Sequence, residues 1–388
     1  MAQSYFMYSI VLLTVLVFSY LATARSTTSY NHNVPVYIYE YWAIVAAPIA
    51  IYSLVLGFRY DVGVDFLQYW TIHEYLQIGQ LYRPDIDPFY LFTDKVLVFF
   101  GLGPWSIFLL TSFLFIGAYY FLLRKHRDIL LFSMPMYLVS TFDAENLVRQ
   151  FFAISLLIVG VSFLLQRRIW IYFAFSALAF LTHSSCILAI ISFLLLWKLP
   201  KAPLFVFLTL YVFAWIIGPS IFEAFRPVIN FCNAIGLMQN YTENVDTIVG
   251  NDRMDLFGSA SVYSQAFQFV CNASILYFGY QLIEKYRKQG YLFFYYAFAI
   301  AITLKPMFQR HELFNRFVHY FSVFSPVIYG YVAYEVFKQS FGNSVVRMFA
   351  KAIVISAFAF SIYSFYCGLN ADALTMGHGY TFFWERHQ

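Results

Sequence analysis

The run Gly57-Phe-Arg-Tyr-Asp-Val-Gly-Val-Asp65 sets Arg59, Asp61 and Asp65 around Gly63, directly after an apolar stretch in a chain that otherwise avoids charge. An arginine beside carboxylates joins an anion-binding fork to a candidate general base. A glycine between them lets the backbone turn sharply or approach a ligand closely. The plainer alternative is a charged cap at a helix end, with Arg59 reaching toward lipid headgroups. Two later segments, Asn146-Leu-Val-Arg-Gln150 and Thr182-His-Ser-Ser185, share the character of polar groups set in apolar sequence. Ionisable groups at a membrane boundary are expensive and so are functional candidates. The three segments together suggest one site assembled from several helices.

Arg149 stands at the mouth of the apolar run 151–165, flanked by Asn146 and Gln150. A guanidinium stays charged and grips phosphate oxygens bidentately, and a helix N-terminus would add its dipole and free N–H groups. Its alternative role is an ion pair with Asp143 or Glu145. His183 interrupts the apolar stretch 169–197 beside Thr182, Ser184 and Ser185. That polar turn suits a hydrogen bond to substrate or a proton relay, although a lone histidine in a bundle also serves as an interhelical hydrogen bonder. No Ser-His-Asp or zinc-type spacing supports a stronger claim. Asp85-Ile-Asp87 either holds a divalent cation or is an ordinary loop between prolines, and no metal site is assigned. A last cluster, Lys305, Arg310, His311, Glu312 and Arg316, leads into Arg316-Phe-Val-His-Tyr-Phe321. Arg316, His319 and Tyr320 lie at helical spacing on one face. Facing inward they add a cation and donors to a cavity; facing outward they anchor the helix at the interface.

These residues have to be positioned by membrane helices. The chain of 388 residues is 61% hydrophobic and 11% charged, with a mean hydropathy of +0.65, against about 25% charged residues in soluble domains. Apolar windows of about the 20 residues that span a bilayer fall near 5–23, 40–58, 105–123, 129–143, 147–165, 169–182, 185–197, 202–218, 262–283, 290–304, 314–336 and 348–366. The expected fold is all-α, one polytopic membrane domain over 1–388 with about 12 (11–14) transmembrane helices. The run near 5–23 lacks a basic leader and reads as a first transmembrane helix rather than a signal peptide. Cationic loops at 124–127, 167–168, 198–201, 284–288 and 338–351 recur after alternate spans and belong on the cytoplasmic side. The intervening loops, among them a large one at 219–261, face outward. Residues 88–103 either span, which turns the 59–65 loop inward, or are re-entrant. The re-entrant reading makes 59–104 an outer loop, puts both termini outside and gathers the polar groups on one face. Cys186, Cys232, Cys271 and Cys367 are dispersed without metal-knuckle or disulfide spacing. The net charge of +4 is small and loop-borne, which argues against nucleic-acid binding.

At these motifs the chain resembles the EpsG family of polysaccharide polymerases, relatives of the Wzy O-antigen and capsule polymerases. The family's Arg-x-x-Val-Gly-Thr-Asp corresponds to Arg59–Asp65, its Asn-x-Ile-Arg-Gln to Asn146–Gln150, its Phe-His-Ser-Ser to the segment ending at Ser185, and its Arg-Phe-x-x-Tyr-Phe to Arg316–Phe321. Val64 departs from the usual Thr, and Thr182 replaces the aromatic before His183. The resemblance implies a multi-span, GT-C-type glycosyltransferase of the bacterial inner membrane that joins undecaprenyl-diphosphate-linked repeat units at the periplasmic face. Arg59, Arg149 and Arg316 would hold the diphosphate without metal or cofactor. Asp65 would be the first choice of base and His183 the second, with Asn146, Gln150, Arg310, His319 and Tyr320 in support. A chain-length regulator is a further candidate partner beside membrane lipid. The rival readings are a lipid-linked-sugar flippase, a metal-dependent glycosyltransferase drawing on Asp85 and Asp87, and an O-antigen ligase.

Overall fold

A computed structural model describes residues 2–32, 38–63, 65–83, 86–218, 261–308, 312–338, 343–369 and 380–385. It is overwhelmingly helical, and its contacts divide it into two compact units, residues 1–197 with 358–388 and residues 198–357. The first unit contains α1 (Ala2–His32), α2 (Ile38–Gly57), strand β1 (Arg59–Tyr60), α3 (Phe66–Gln77), α4 (Pro88–Phe99), α5 (Trp105–Leu123), α6 (Leu130–Ser140), α7 (Val148–Leu164), α8 (Ile169–Thr182) and α9 (Ile187–Lys198). The second contains α10 (Leu204–Gly218), α11 (Val262–Gln281), α12 (Tyr291–Phe308), α13 (Glu312–Ser322) and α14 (Ser325–Phe337). Helix α15 (Ser344–Gly368) begins in the second unit and ends in the first, which is closed by strand β2 (Thr381–Phe382).

Among the described residues, α1, α2, α5, α12 and α15 are long and apolar enough to cross a membrane, and α7, α8, α9 and α10 are shorter apolar helices. The most apolar window of α15 has a mean hydropathy of 1.9 and is only 17% buried. A helix that is apolar around most of its circumference and uncovered by protein is stable in lipid and not in water. The protein is therefore an all-α membrane protein. The run 314–336, expected as one span, is two helices that part at Val323 and Phe324. Pro326 explains the break. Inside a continuous helix its ring would clash with the carbonyl of Ser322, whereas the first turn of α14 accommodates it. The 219–261 loop lies outside the described residues, apart from Ser261.

Helix α5 is the hub of the first unit, packed against α2 and α7, with Ile107, Phe108, Ile116, Tyr119 and Tyr120 fully buried. Tyrosine hydroxyls in such an interior need internal acceptors. Tyr41 donates to the Tyr120 carbonyl at 2.7 Å, and Tyr119 lies 3.3 Å from the Ser133 hydroxyl while its ring stacks on Tyr137. Helices α3 and α4 have 12 residues each, about 18 Å of helix against a hydrocarbon core of about 30 Å. A fully buried His73–Asp94 pair at 2.6 Å joins them, and the other ring nitrogen of His73 donates to the Leu102 carbonyl at 2.9 Å. The loop after α2 is clamped from the far end of the chain. Strand β2 pairs antiparallel with β1, Arg59 opposite Phe382, and the Phe383 N–H donates to the Phe58 carbonyl at 2.9 Å.

Gly57 lies tightly against α5, where an added Cβ would stand 2.6 Å from the Leu109 Cα. Gly57→Ala is expected to lower the thermal unfolding midpoint in detergent by the equivalent of about 1–3 kcal/mol, the usual cost of overpacking. Gly117→Ala, whose Cβ meets nothing within 4 Å, should leave the midpoint unchanged or higher.

Candidate functional site

The first signature folds onto the second. Arg59 follows α2 and is only 2% exposed. Its Nη2 donates to the Glu145 carbonyl at 2.7 Å, its Nη1 to the Leu56 carbonyl, and its Nε to the Val62 carbonyl at 3.4 Å. The guanidinium also lies 5.1 Å from the centre of the Phe108 ring and 5.6 Å from that of Phe66, within cation–π range. Expected as a diphosphate ligand, Arg59 has all three nitrogens turned onto protein carbonyls, the geometry of a staple. Gly63, at φ +104°, permits the close contact that follows, since a Cβ there would stand 3.3 Å from the Glu145 carbonyl oxygen. Two residues on, the Asp65 N–H donates to the Asn146 side-chain oxygen at 2.9 Å. Asp65 is half-buried at the start of α3, and its carboxylate makes no capping bond to that helix.

Glu145 lies in the turn between α6 and α7, outside the spanning helices, with its carboxylate buried against the Tyr8 hydroxyl of α1. Burial pushes this carboxyl up to about 7, against the opposing pull of the Arg59 charge and the Tyr8 hydrogen bond. Four residues later Arg149 occupies the first turn of α7. Among the described side chains its ion-pair partner is Asp87, whose Oδ2 accepts from Nη1 at 2.9 Å. The same oxygen lies 3.8 Å from His183 Nδ1. The second and third signatures thus meet at one carboxylate.

Asp87 holds the N-cap position of α4 with Pro88 behind it, yet its side chain makes no capping bond. An aspartate there ordinarily accepts from the helix's own N–H groups; this one is offered to Arg149. Tyr69 and Tyr90 stand beside the same guanidinium. Arg149 Nε and the Tyr90 hydroxyl are buried with no hydrogen-bond partner among the described residues. Buried donors without acceptors are rare in folded proteins, and here two belong to or stand beside one arginine. His183 owes its place to a break: its extended backbone (φ −161°) ends α8 before the turn Ser184–Cys186 opens α9. Thr182 turns its hydroxyl back onto the Leu178 carbonyl, leaving His183 to face Asp87. Asn146 is half-buried and Gln150 is buried.

On α13 of the second unit, Tyr320 is buried, and Arg316 and His319 are half-buried. Arg310 and Asp85 lie outside the described residues. Among the described residues no group of three His, Cys, Asp or Glu side chains is placed to hold a metal. Sequence reasoning passed over Asp87 as a ligand partner. The Asp-Pro step did signal a helix start, but its carboxylate's turn toward an arginine 62 residues away has no local sign.

The sequence pattern of the EpsG family matches residues 42–373, a stretch that holds Arg59, Asp87, Arg149, His183 and Arg316. The chain belongs to the EpsG family. EpsG proteins are Wzy-like polysaccharide polymerases. No curated protein and no solved structure matches the chain. Tyr8 and β2, which brace the EpsG signatures here, fall outside the matched stretch.

Because the folded Glu145 carboxyl titrates near 7 against 4.5 as a free group, the native state keeps a proton that the unfolded chain gives up between those values. The associated stability is complete below about pH 4.5 and is lost as pH rises through about 7, a change on the order of 3 kcal/mol. Thermal unfolding in detergent should accordingly weaken between pH 5 and 8. Glu145→Gln should flatten that dependence and exceed the wild type at pH 8.

Proposed function

We propose that this EpsG protein is a polysaccharide polymerase that joins oligosaccharide repeat units carried on undecaprenyl diphosphate. The observation that carries the reading is the convergence of Arg149 and His183 on Asp87, beside two buried donors that lack acceptors. The Asp87 carboxylate marks where an anion sits against Arg149, and the donor's diphosphate takes that position. The hydroxyl oxygen of the acceptor repeat unit attacks the anomeric carbon of the donor. The bond from that carbon to the phosphate oxygen breaks, and its electron pair leaves with the diphosphate. Fixed positive charge at Arg149 and the N-terminus of α7 stabilises the leaving charge as it develops.

His183 is the base that takes the hydroxyl proton, with Asp87 orienting and stabilising the resulting imidazolium. Asp65 is the alternative base, and variants separate the two. Arg59 acts at one remove, by holding the 59–65 turn on Glu145. The positive-inside pattern supports placing this site at the outer face of the bacterial cytoplasmic membrane. Residues 88–103, with the short α4, then form a re-entrant segment, and the shorter apolar helices complete a GT-C-type bundle of about 12 spans.

Polymer length on gels, in a deletion strain carrying plasmid variants with membrane levels matched, tests the assignment. Wild type should restore a ladder. Arg149→Ala and His183→Ala should leave single-repeat products, with activity down by roughly a hundredfold or more. Arg59→Lys should act chiefly through a lower unfolding midpoint. A normal ladder from Arg149→Ala and His183→Ala would overturn the site. A ladder lost in Asp65→Asn but kept in His183→Ala would move the base to Asp65, and a deletion that changes no polymer would overturn the polymerase reading.

A further inference from the structure

Below the polar site the first unit contains a groove of about 890 Å³, near the top of the range of roughly 300–1,000 Å³ typical of small-molecule pockets. Its floor is made by small residues, Ala46 and Ala50 on α2 and Gly117 on α5. An added Cβ at Gly117 would meet nothing within 4 Å, so the groove is open there. Bulky Trp42, Trp105 and Phe121 form part of its walls.

The lining offers almost no hydrogen bonds. The hydroxyl of Ser53 is turned back onto the Ile49 carbonyl and that of Ser155 onto the Phe151 carbonyl, both at 2.6 Å. Ser106 contributes the remaining hydroxyl, buried without a partner. A sugar or a charged headgroup placed here would lose its hydration without compensation. The occupant is hydrocarbon.

The two helices that carry the ion pair also reach this groove. On α7, Leu156 lines it seven residues after Arg149, about 10 Å along the axis and on the same face. On α4, Leu97 lines it, while Asp87 caps the opposite end of that helix. Phe89 on α4 and Phe152 on α7 are in ring contact at 5.9 Å between the two levels. Each helix thus has a polar end at the anion position and an apolar stretch in the groove, which is the layout of a phosphate-linked hydrocarbon chain.

We propose that this groove is the binding site for the isoprene units of the polyprenyl diphosphate donor from the third onward, which a geranyl tail lacks, with the rest of the chain in the bilayer. The assignment rests on the polymerase reading above, and it adds that the protein recognises its substrate by the tail as well as by the diphosphate.

The test uses the full-length protein in nanodiscs and repeat-unit donors that share sugar and diphosphate but carry either an undecaprenyl or a geranyl tail. Wild type should show a KM at least about tenfold lower for the long tail, since each buried methylene adds to binding. Gly117→Phe and Ala50→Phe fill the groove from two helices. Both should bring the two KM values within about twofold by weakening the long-tailed donor, with the unfolding midpoint unchanged. A diazirine on the third isoprene unit should crosslink, without turnover, to peptides of α2 and α5 in wild type and not in the filled variants.

Tail preference and crosslinks that persist in stable filled variants would overturn the groove assignment. So would equal labelling of the same peptides by a diazirine phospholipid, which would identify ordinary bilayer lipid as the occupant. If the polyprenyl probe crosslinks as expected but neither donor is polymerised, the groove stands and the polymerase reading fails.

Discussion

A guanidinium taken out of water must be answered by the protein around it, and the answer given to Arg59 organises the first unit. Its nitrogens reach carbonyls of Leu56, Val62 and Glu145, and its faces lie near Phe66 and Phe108. Those contacts draw together the end of α2, the start of α3, the first turn of α5 and the turn before α7. Each of these hydrogen bonds is charge-assisted, and a buried charge that loses one acceptor keeps the full cost of its burial. The turn that brings Asn146 onto Asp65 and places Arg149 at the head of α7 is held by that penalty. β2 and Tyr8 secure it from outside: β2 pairs with the strand that carries Arg59, and Tyr8 ties the Glu145 side chain to α1.

The charge arrangement at Arg149 is poised rather than settled. A cation in the first turn of a helix opposes the positive end of the dipole, so Arg149 has to be neutralised by something anionic. Asp87 supplies one negative charge, through one hydrogen bond, from a side chain that gives up capping α4 to do so. A diphosphate brings more charge and more acceptor oxygens, enough for Nε and the Tyr90 hydroxyl as well. In the proposed reaction the carboxylate is the partner that this better anion displaces.

The positions of the apolar helices were legible in the sequence because hydrophobicity and length are local properties. The expected spans at 105–123 and 169–182 coincide with α5 and α8, and the four signatures marked the polar segments. Other features depend on contacts that no local pattern encodes. The apolar run 314–336 masked the effect of Pro326, since mean hydropathy is blind to a missing N–H. Arg59 and Arg149 look alike in sequence, each an arginine at the edge of an apolar run. One is enclosed by carbonyls and aromatic rings and the other faces a carboxylate and two tyrosines, a difference set by which helices pack around them. The β2 clamp is only two residues long and gives no periodicity to read.

Helices α4 and α7 explain why the polar and apolar halves of the site belong to one unit. A lipid-linked sugar presents a charged joint between a part that needs water and a part that needs oil, and the joint must be held within a few tenths of an ångström for transfer. Hydrocarbon contacts alone fix depth poorly, because apolar attraction has no direction. A salt bridge alone fixes the phosphate but leaves the sugar free to pivot. In the proposed arrangement, rigid helices that carry the anion site at one end and groove residues two to three turns below convert tail binding into a constraint on the phosphate. Binding energy gathered away from the reacting carbon is thereby spent on orienting it.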